Sequence, residues 1–463
     1  MSEATQAPRA ELAGSLKDEL RLHRRIAVPI VATFLVELGM WYTDAIIVGR
    51  LGTTPLAAVG LLGGIFWELL FVGFAVLSIT GVFMGSGYGA GDSGLIQRAF
   101  RHGLWLATLF GVPMMAFSWY MADLLALTGQ DPGVITEGRA YIHAVLWSVL
   151  PTLWFGVMRN LVTALSRPAI ITAISIVMLP VNAGMTWWFV FGGLGLPAMG
   201  VAGAGWATAI TTWLSFIALT LWVARVHTYR FYRPFADLMV MDAVLWKRIF
   251  RLGLPVAGVR LIEGSSYQVV MILMGLFGAS ALAAHHVVSA IAGLSTTLVI
   301  AIAHTSIVRV SQEIGGGQPA SARRAGWVAM AVALCLAAPV ALFLWLAPDG
   351  AAFIFLDIDD PQNASTLALV GILGLIAAPL ILLEAVHIVA ARSLRGRQDT
   401  WIPMWISAAG AWLIAFPAAV LLAFAADLGP AGLWWGMIAG LVVSASLLTR
   451  RWAHGPSVPP PGP

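Results

Sequence analysis

Five carboxylates lie in stretches otherwise made of apolar residues: Glu37, Asp44, Glu68, Glu263 and Glu384. An acid at the centre of a bilayer helix costs about 2.5–3.5 kcal/mol on insertion scales, so each needs a reason to be there. Intramembrane acids commonly face a bundle interior or a watery cavity and mark an ion or proton path. Loss of water favours the neutral acid and a bound cation favours the carboxylate, so such a group can exchange a proton for a cation. The competing explanation is a structural polar cluster satisfied by neighbouring Asn, Thr or Arg. Glu37 and Asp44 are seven apart, two turns along one helix face. Glu68 stands alone beside Trp67. Glu263 has Arg260 one turn earlier on its own face, and an i,i+3 ion pair there would make it structural. Glu384 shares a face with His387, which could hold part of its proton or bond a backbone carbonyl. His285 and His286 read as packing or hydrogen-bonding residues, because no further metal ligand lies near them in sequence. No cluster has metal-ligand spacing, and no phosphate loop or nucleophile motif is present, so no cofactor is expected. Any driving force must then come from an ion gradient or a separate subunit.

The elements that carry these acids follow from composition. The 463 residues are 59% hydrophobic and 10% charged, with a mean hydropathy of +0.87; soluble domains carry about 25% charge. The chain is an integral membrane protein. A span needs about 20 apolar residues, and hydropathy predicts twelve spans, near 26–49, 57–83, 99–122, 139–158, 169–192, 198–224, 248–276, 282–308, 325–347, 365–391, 402–426 and 431–449. The runs are continuous and do not alternate every second residue, which indicates helices and excludes a barrel. The net charge of +4 is an orientation signal, with no nucleic-acid partner implied. Of the 26 Lys and Arg residues, all but Arg50, Arg139, Arg159 and Arg260 fall in one set of loops and the two ends. The opposite loops are acidic, with Asp123, Asp131, Glu137, Asp349, Asp357, Asp359 and Asp360. This positive-inside bias predicts both termini in the cytoplasm. The polar first twenty residues lack an apolar h-region, so no cleaved signal peptide is expected. Cys335 reads as plain packing in an apolar helix.

The two halves repeat. Residues 25–58 align without gaps on 251–284, with about ten identities that include Arg25/Arg251, Pro29/Pro255, Glu37/Glu263, Gly49/Gly275 and Gly52/Gly278. Six spans per half make the repeat parallel, an arrangement typical of secondary transporters with a site between the halves. The predicted fold is an all-α integral membrane protein with twelve transmembrane helices in two six-helix lobes. A pseudo-two-fold axis along the membrane normal would relate them. The expected divisions are a polar cytoplasmic tail over 1–20, an N-lobe over 21–225, a basic cytoplasmic connector over 226–247, a C-lobe over 248–450 and a disordered Pro-rich tail over 451–463.

Particular motifs identify a resemblance. They are Pro29 with "DAIIVGRLG" at 44–52 and "LAA" at 56–58, then "GAGD" at 89–92, "LPVNAG" at 179–184 and "GVAGAGWATAI" at 200–210. In the second half they are "RLGLPV" at 251–256, "ALAAHH" at 281–286 and, most specific, "EAVHIVAARSLRGRQDT" at 384–400. Over about residues 20–450 the chain resembles the multidrug and toxic compound extrusion (MATE) transporters of the NorM-like bacterial branch. The resemblance implies two six-helix lobes, alternating access, and export of cationic amphiphilic drugs or dyes in exchange for H+ or Na+. It implies a monomer in the bacterial inner membrane, with the lipid bilayer as its other partner.

By the same resemblance the N-lobe cation site comprises Asp44 with Asn182, Thr186 and Thr208, joined by Glu37 on the Asp44 face. Sodium would have Asp44, Asn182 and Thr208 as ligands. The family often has Asp or Asn at position 186; Thr186 supplies one hydroxyl and no charge, which favours protons. Glu263 and Glu384 match a second acidic pair in the C-lobe, where Glu384 stands for an Asp and Leu380 for an aromatic residue. Pro29 is the implied kink of the first helix. Two other readings compete. A flippase or another solute exporter of the same superfamily would keep the fold, but such proteins commonly line the cavity with cations to meet pyrophosphate, whereas here acids outnumber Arg159 and Arg260. A membrane enzyme would need a clustered His/Asp/Ser site at one membrane face, and none is visible.

Overall fold

The computed structural model describes residues 10–193, 195–357 and 360–455. Asp359, residues 1–9 and most of the Pro-rich tail (456–463) lie outside the described residues. Among the described residues, twelve helices are long and apolar enough to cross a membrane. In chain order they are α1 (Leu16–Gly49), α2 (Thr53–Ala90), α3 (Ser93–Ala126), α4 (Pro132–Ala164), α5 (Ala169–Phe191), α6 (Val201–Arg225), α7 (Ala243–Gly275), α8 (Ala279–Gly315), α9 (Pro319–Leu346), α10 (Pro361–Gly396), α11 (Trp401–Ala425) and α12 (Gly429–His454). Each expected span has its helix, so the chain is an all-α multi-pass membrane protein.

Most helices run past the apolar stretch that announces them. The first starts at Leu16, well before residue 26 and inside the expected polar tail. Its start is a reciprocal cap: the Ser15 hydroxyl accepts from the Asp18 N–H at 3.2 Å, and the Asp18 carboxylate accepts from the Ser15 N–H at 3.0 Å. Asp18 and Glu19 in the first turn also suit the positive end of the helix dipole.

The chain forms two compact units. One comprises the chain up to Glu11 together with Val28–Gly253, and the other comprises Leu12–Ala27 together with Leu254 onward. The changeovers therefore fall at repeat-equivalent positions, each just before the repeat's proline, Pro29 or Pro255. The turns that follow α1 and α7 match as well: Gly52 has φ 122° and Gly278 φ 95°, a region that glycine adopts without a Cβ clash.

In the first unit, residues 226–242 of the connector lie against α3. Asp237 O accepts from Arg101 at 3.0 Å, Ala236 O from Gln97 at 3.2 Å and Leu238 O from Trp105 at 2.8 Å. The link read as a basic, amphipathic loop is a docked strap. Its amphipathic pattern is the side that α3 covers, with Phe235 edge-on to Phe100 at 5.7 Å.

In the second unit, α12 packs against α11 through Gly432, Gly436 and Gly440. A Cβ at Gly436 would come within 2.3 Å of the Ala419 backbone, so only glycine permits this approach. The helix α11 widens into π turns over Ala409–Ala415 and Leu421–Ala425, on either side of Pro417. A proline lacks the N–H and crowds the preceding turn, and a widened turn relieves both effects. Cys335, read as plain packing in an apolar helix, is exposed on α9.

The start of α1 belongs to this unit because of charge. Arg309 on α8 donates from Nε and Nη2 to the two carboxylate oxygens of Glu19 at 3.0 and 2.9 Å. It also pairs with Glu313 and donates to Gln312 at 2.8 Å. His23 meets Glu19 at 2.8 Å, and Glu313 accepts from the Ala13 N–H at 3.0 Å. Glu19, Arg309, Gln312 and Glu313 are fully buried. Removing one member of a buried ion network leaves uncompensated charge and costs about 3–5 kcal/mol. Arg309→Ala is thus expected to lower the thermal unfolding midpoint of the detergent-purified protein sharply and to open residues 12–27 to protease. Arg309→Lys, which keeps the charge without the two-pronged geometry, should fall between. An unchanged midpoint for Arg309→Ala would show that the network does not hold the helix start.

Candidate functional site

In the first unit α1, α5 and α6 converge on Asp44. Thr186 on α5 donates to Asp44 Oδ1 at 2.8 Å, and Thr208 on α6 donates to Oδ2 at 3.4 Å. Asn182 lies one turn before Thr186 on α5; it is buried, and its Oδ1 has no hydrogen-bond partner among the described residues. No Lys or Arg among the described residues pairs with Asp44. The carboxylate is thus held by hydroxyl donors alone, with an unspent amide oxygen one turn away. A proton on Asp44, or a small cation beside it, would complete this set of oxygens.

Backbone packing brings the three helices together. Gly203 of α6 sits on the Phe189 backbone of α5, where a Cβ would come within 2.5 Å, and Gly205 sits on the Tyr141 carbonyl of α4, where it would come within 2.7 Å. Those contacts draw α6 inward and set Thr208 opposite Asp44. Further down α1, the Pro29 carbonyl accepts from Thr33 at 2.9 Å and from Thr172 of α5 at 2.7 Å. A hydroxyl that bonds the carbonyl four residues back bends a helix, and here it does so at a proline. The segment that carries Asp44 therefore has a fixed pivot about four turns below the acid.

Glu37 does not join the Asp44 cluster. Arg159 of α4 lies 3.5 Å from its Oε1, with the guanidinium 5.4 Å from the Phe74 ring centroid and 6.0 Å from that of Phe34. Glu68 sits half-buried on α2. Tyr141 was not picked out by sequence reasoning. It is buried on α4, hydrogen-bonded to Trp67 and within electrostatic reach of Asp44. Its stretch, with Glu137, Arg139 and His143 close by, reads as the polar end of a span and gives the phenol no distinguishing signal.

The second unit builds a different acidic site. Glu384 on α10 accepts from Thr296 of α8 at 3.1 Å. Glu263 on α7 meets His387 Nε2 of α10 at 3.9 Å. The contact recorded for Glu263 is thus with His387 across the helices, where sequence reasoning had offered Arg260 on the same helix. Thr296 was also missed, because a lone threonine in an apolar helix carries no distinguishing pattern. Glu37 and Glu263 are repeat-equivalent, and both face a basic side chain from the fourth helix of their own unit. The first base is a guanidinium and the second an imidazole. Asp44 has no counterpart, since its repeat position is Val270. His285 is buried among the rings of Tyr267 and Trp434, at 6.0 and 5.6 Å, which is a packing role. Among the described residues no group of three or more His, Cys, Asp or Glu could hold a metal ion.

Comparison with known proteins places these features in a family. The MatE family model matches residues 29–188 and 255–421, one segment in each half and each starting at the repeat's proline. The chain is 33% identical over 447 residues to a Mesorhizobium japonicum protein named "Probable multidrug resistance protein NorM", covering 96% of each chain. It is 31% identical over 435 residues to one of the same name from Pseudomonas aeruginosa, covering 93% of this chain and 88% of the other. Among solved structures it is similar to a MOP superfamily transporter from Pyrococcus furiosus, with TM-score 0.84, 17% identity, and 96% and 98% coverage. It is also similar to the Vibrio cholerae MATE transporter VcmN in the bent form, with TM-score 0.83, 16% identity, and 95% and 98% coverage.

The two hydroxyls on Asp44 are unequal, and that asymmetry is measurable. Hydrogen bonds to charged groups contribute about 1.5–3 kcal/mol, so Thr186→Val is expected to slow dye export from everted vesicles about tenfold or more. Thr208→Val, which removes the longer bond, should slow it only two- to threefold by the same reasoning, and Thr186→Ser should stay near wild type. A larger effect at Thr208 would contradict this geometry.

Proposed function

The chain belongs to the MatE family and is a multidrug efflux transporter of the NorM type; we propose that it exports cationic amphiphilic compounds in exchange for protons, with Asp44 as the exchanging group. The observation that carries this reading is the Asp44 carboxylate, which takes hydrogen bonds from Thr186 and Thr208 and has no cationic side chain paired with it. An ionised Asp44 in that setting attracts a cation or a proton. The two cannot be held at once, which is the condition for antiport. Protonation removes the charge and weakens the hold of both hydroxyls, so the α1 segment beyond Pro29 can change its bend and the bound cation loses its partner. Protons fit better than Na+, because a proton needs a single oxygen whereas sodium would rely on one carboxylate, two hydroxyls and the Asn182 amide. Pairing of Glu263 with a titratable His387 in the second unit supports the same choice.

The charge pattern and the family support the remaining parts of the proposal. The transporter lies in the bacterial inner membrane with both termini cytoplasmic, and it works as a monomer. An exporter of an anionic lipid-linked solute would need cations around its site. The first unit offers Arg159, already paired with Glu37, so the cationic substrate class is the better match.

Asp44→Asn tests this directly. The amide keeps size and hydrogen-bonding capacity and is cheaper to bury than a carboxylate, so the variant should insert and fold normally. It should fail to confer resistance to cationic dyes, and dye binding should no longer change with pH between about 5 and 8, the range over which a desolvated carboxyl can titrate. Asp44→Glu should retain part of the activity with a displaced pH optimum. Uphill export by Asp44→Asn at the wild-type rate would remove Asp44 from the coupling role and leave Glu263 or Glu384 in its place.

A further inference from the structure

A groove of about 470 Å³ opens on the second unit where the start of α1 meets the start of α9. Leu16, Ala320, Trp327, Val328 and Ala331 make its walls, and Arg323 and Arg324 stand beside them. Apart from the two guanidinium groups its lining is apolar, and Leu16, Arg323, Trp327 and Ala331 are exposed. The groove lies at the end of the bundle that carries the basic residues, one to three turns into α9. At that depth a bilayer changes from headgroups to acyl chains, the level that tryptophan favours.

Neither arginine forms an ion pair with a carboxylate among the described residues. Arg323 donates to the Ala453 carbonyl at 3.2 Å. Arg324 donates to the Ala13 carbonyl and to the Ser321 hydroxyl at 3.1 Å, while its buried Nε has no partner. The carboxylate at the start of α1, Asp18, is hydrogen-bonded by Ser15 and lies within electrostatic reach of Arg324, offsetting part of its charge without pairing with it. A third cation adds to the field: burial, and then the charge of Arg323, push the Arg397 guanidinium down to about 10. Arg451, nearby in sequence to Ala453, is already matched by Asp399 at 2.6 Å.

We propose that this groove binds one anionic phospholipid, its phosphodiester between Arg323 and Arg324 and an acyl chain along Leu16, Trp327, Val328 and Ala331. Charge complementarity selects the headgroup: two guanidinium groups whose hydrogen-bond partners are all neutral present a phosphate-sized demand for negative charge. The apolar walls select a lipid over a free anion. Basic pockets between transmembrane helices on the cytoplasmic side commonly hold such headgroups. Because Leu16 is also the first residue of α1, the bound lipid braces the helix start that Glu19 and Arg309 already hold.

Native mass spectrometry of the full chain in detergent, titrated with phosphatidylglycerol and separately with phosphatidylcholine, tests this. One phosphatidylglycerol is expected to be retained at least tenfold more tightly than phosphatidylcholine, with inorganic phosphate failing to displace it. Each arginine near a membrane surface contributes roughly fivefold in affinity for anionic lipid, so Arg323→Gln should weaken retention by about that factor. Arg324→Gln also loses contacts to Ala13 and Ser321, so Ala331→Phe provides an independent variant that fills the groove and touches neither arginine. It should abolish the tight site while leaving the unfolding midpoint unchanged. Equal retention of the two lipids, or full retention by both Arg323→Gln and Ala331→Phe, would overturn the proposal. Displacement by inorganic phosphate would make the groove a free-anion site instead. Retention that appears only after residues 1–9 are removed would mean that the chain's own N-terminal segment is the occupant. Either result would also overturn it.

Discussion

An acid kept in a lipid-bounded bundle without a counter-charge is an unstable arrangement, and the first unit is organised around one. Asp44 exchanges water for two threonine hydroxyls, which soften the cost of its charge and leave it open to a proton or a cation. Each supporting feature can be traced to that requirement. Gly203 and Gly205 bring α6 close enough for Thr208 to reach. Thr186 lies on the face of α5 that also presents Asn182. Thr33 and Thr172 tie down the Pro29 carbonyl, so the helix that carries the acid bends at a defined place. A lysine or arginine at the position of Thr186 or Thr208 would make the site more stable and inert, as Arg159 does for Glu37.

The internal repeat reuses a backbone plan and changes the chemistry on it. Glu37 and Glu263 occupy one position and both face a base from the fourth helix of their unit, but one base is a guanidinium and the other an imidazole. Asp44 becomes Val270. Carrying the alignment on through α2 and α8, the buried positions Phe83, Gly87 and Leu245 in the first unit become Arg309, Glu313 and Glu19 in the second. Apolar packing in one unit is thus replaced by a buried ion network in the other. Such a network specifies which residues meet more strictly than apolar packing does, because a mispaired buried charge is costly.

Hydropathy revealed the twelve spans because a continuous apolar run has few other uses in a chain of this composition. It placed the start of α1 ten residues late for a physical reason: Glu19, His23 and the residues between them look like a solvated tail, and their burial depends on Arg309 far away in sequence. The π turns of α11 also left no trace, since Ala409–Ala415 reads as ordinary apolar helix and the widening follows from Pro417. At the site, Asp44, Thr186 and Thr208, all named from the sequence, meet through hydrogen bonds. The partners of Glu263 and Glu384 were not legible in the same way. Arg260 is adjacent on the helix, so local spacing favoured it, whereas His387 and Thr296 reach their acids through helix packing that no spacing rule encodes. Glu37 shows the converse limit: it shares a face with Asp44, but two turns of separation suffice to give it a different partner.

The central claim is that protons, exchanged at a carboxylate held by hydroxyls, drive the outward movement of a cation. Purified protein in proteoliposomes, with a cationic dye and external proton flux recorded together, tests it most directly. A pH gradient imposed in sodium-free buffer should drive the dye uphill, with protons moving in the opposite direction and both fluxes stopping together when the gradient is dissipated. A sodium gradient imposed at equal pH should drive no accumulation. Uphill dye movement under the sodium gradient alone, or under the pH gradient without a matching proton flux, would contradict the account.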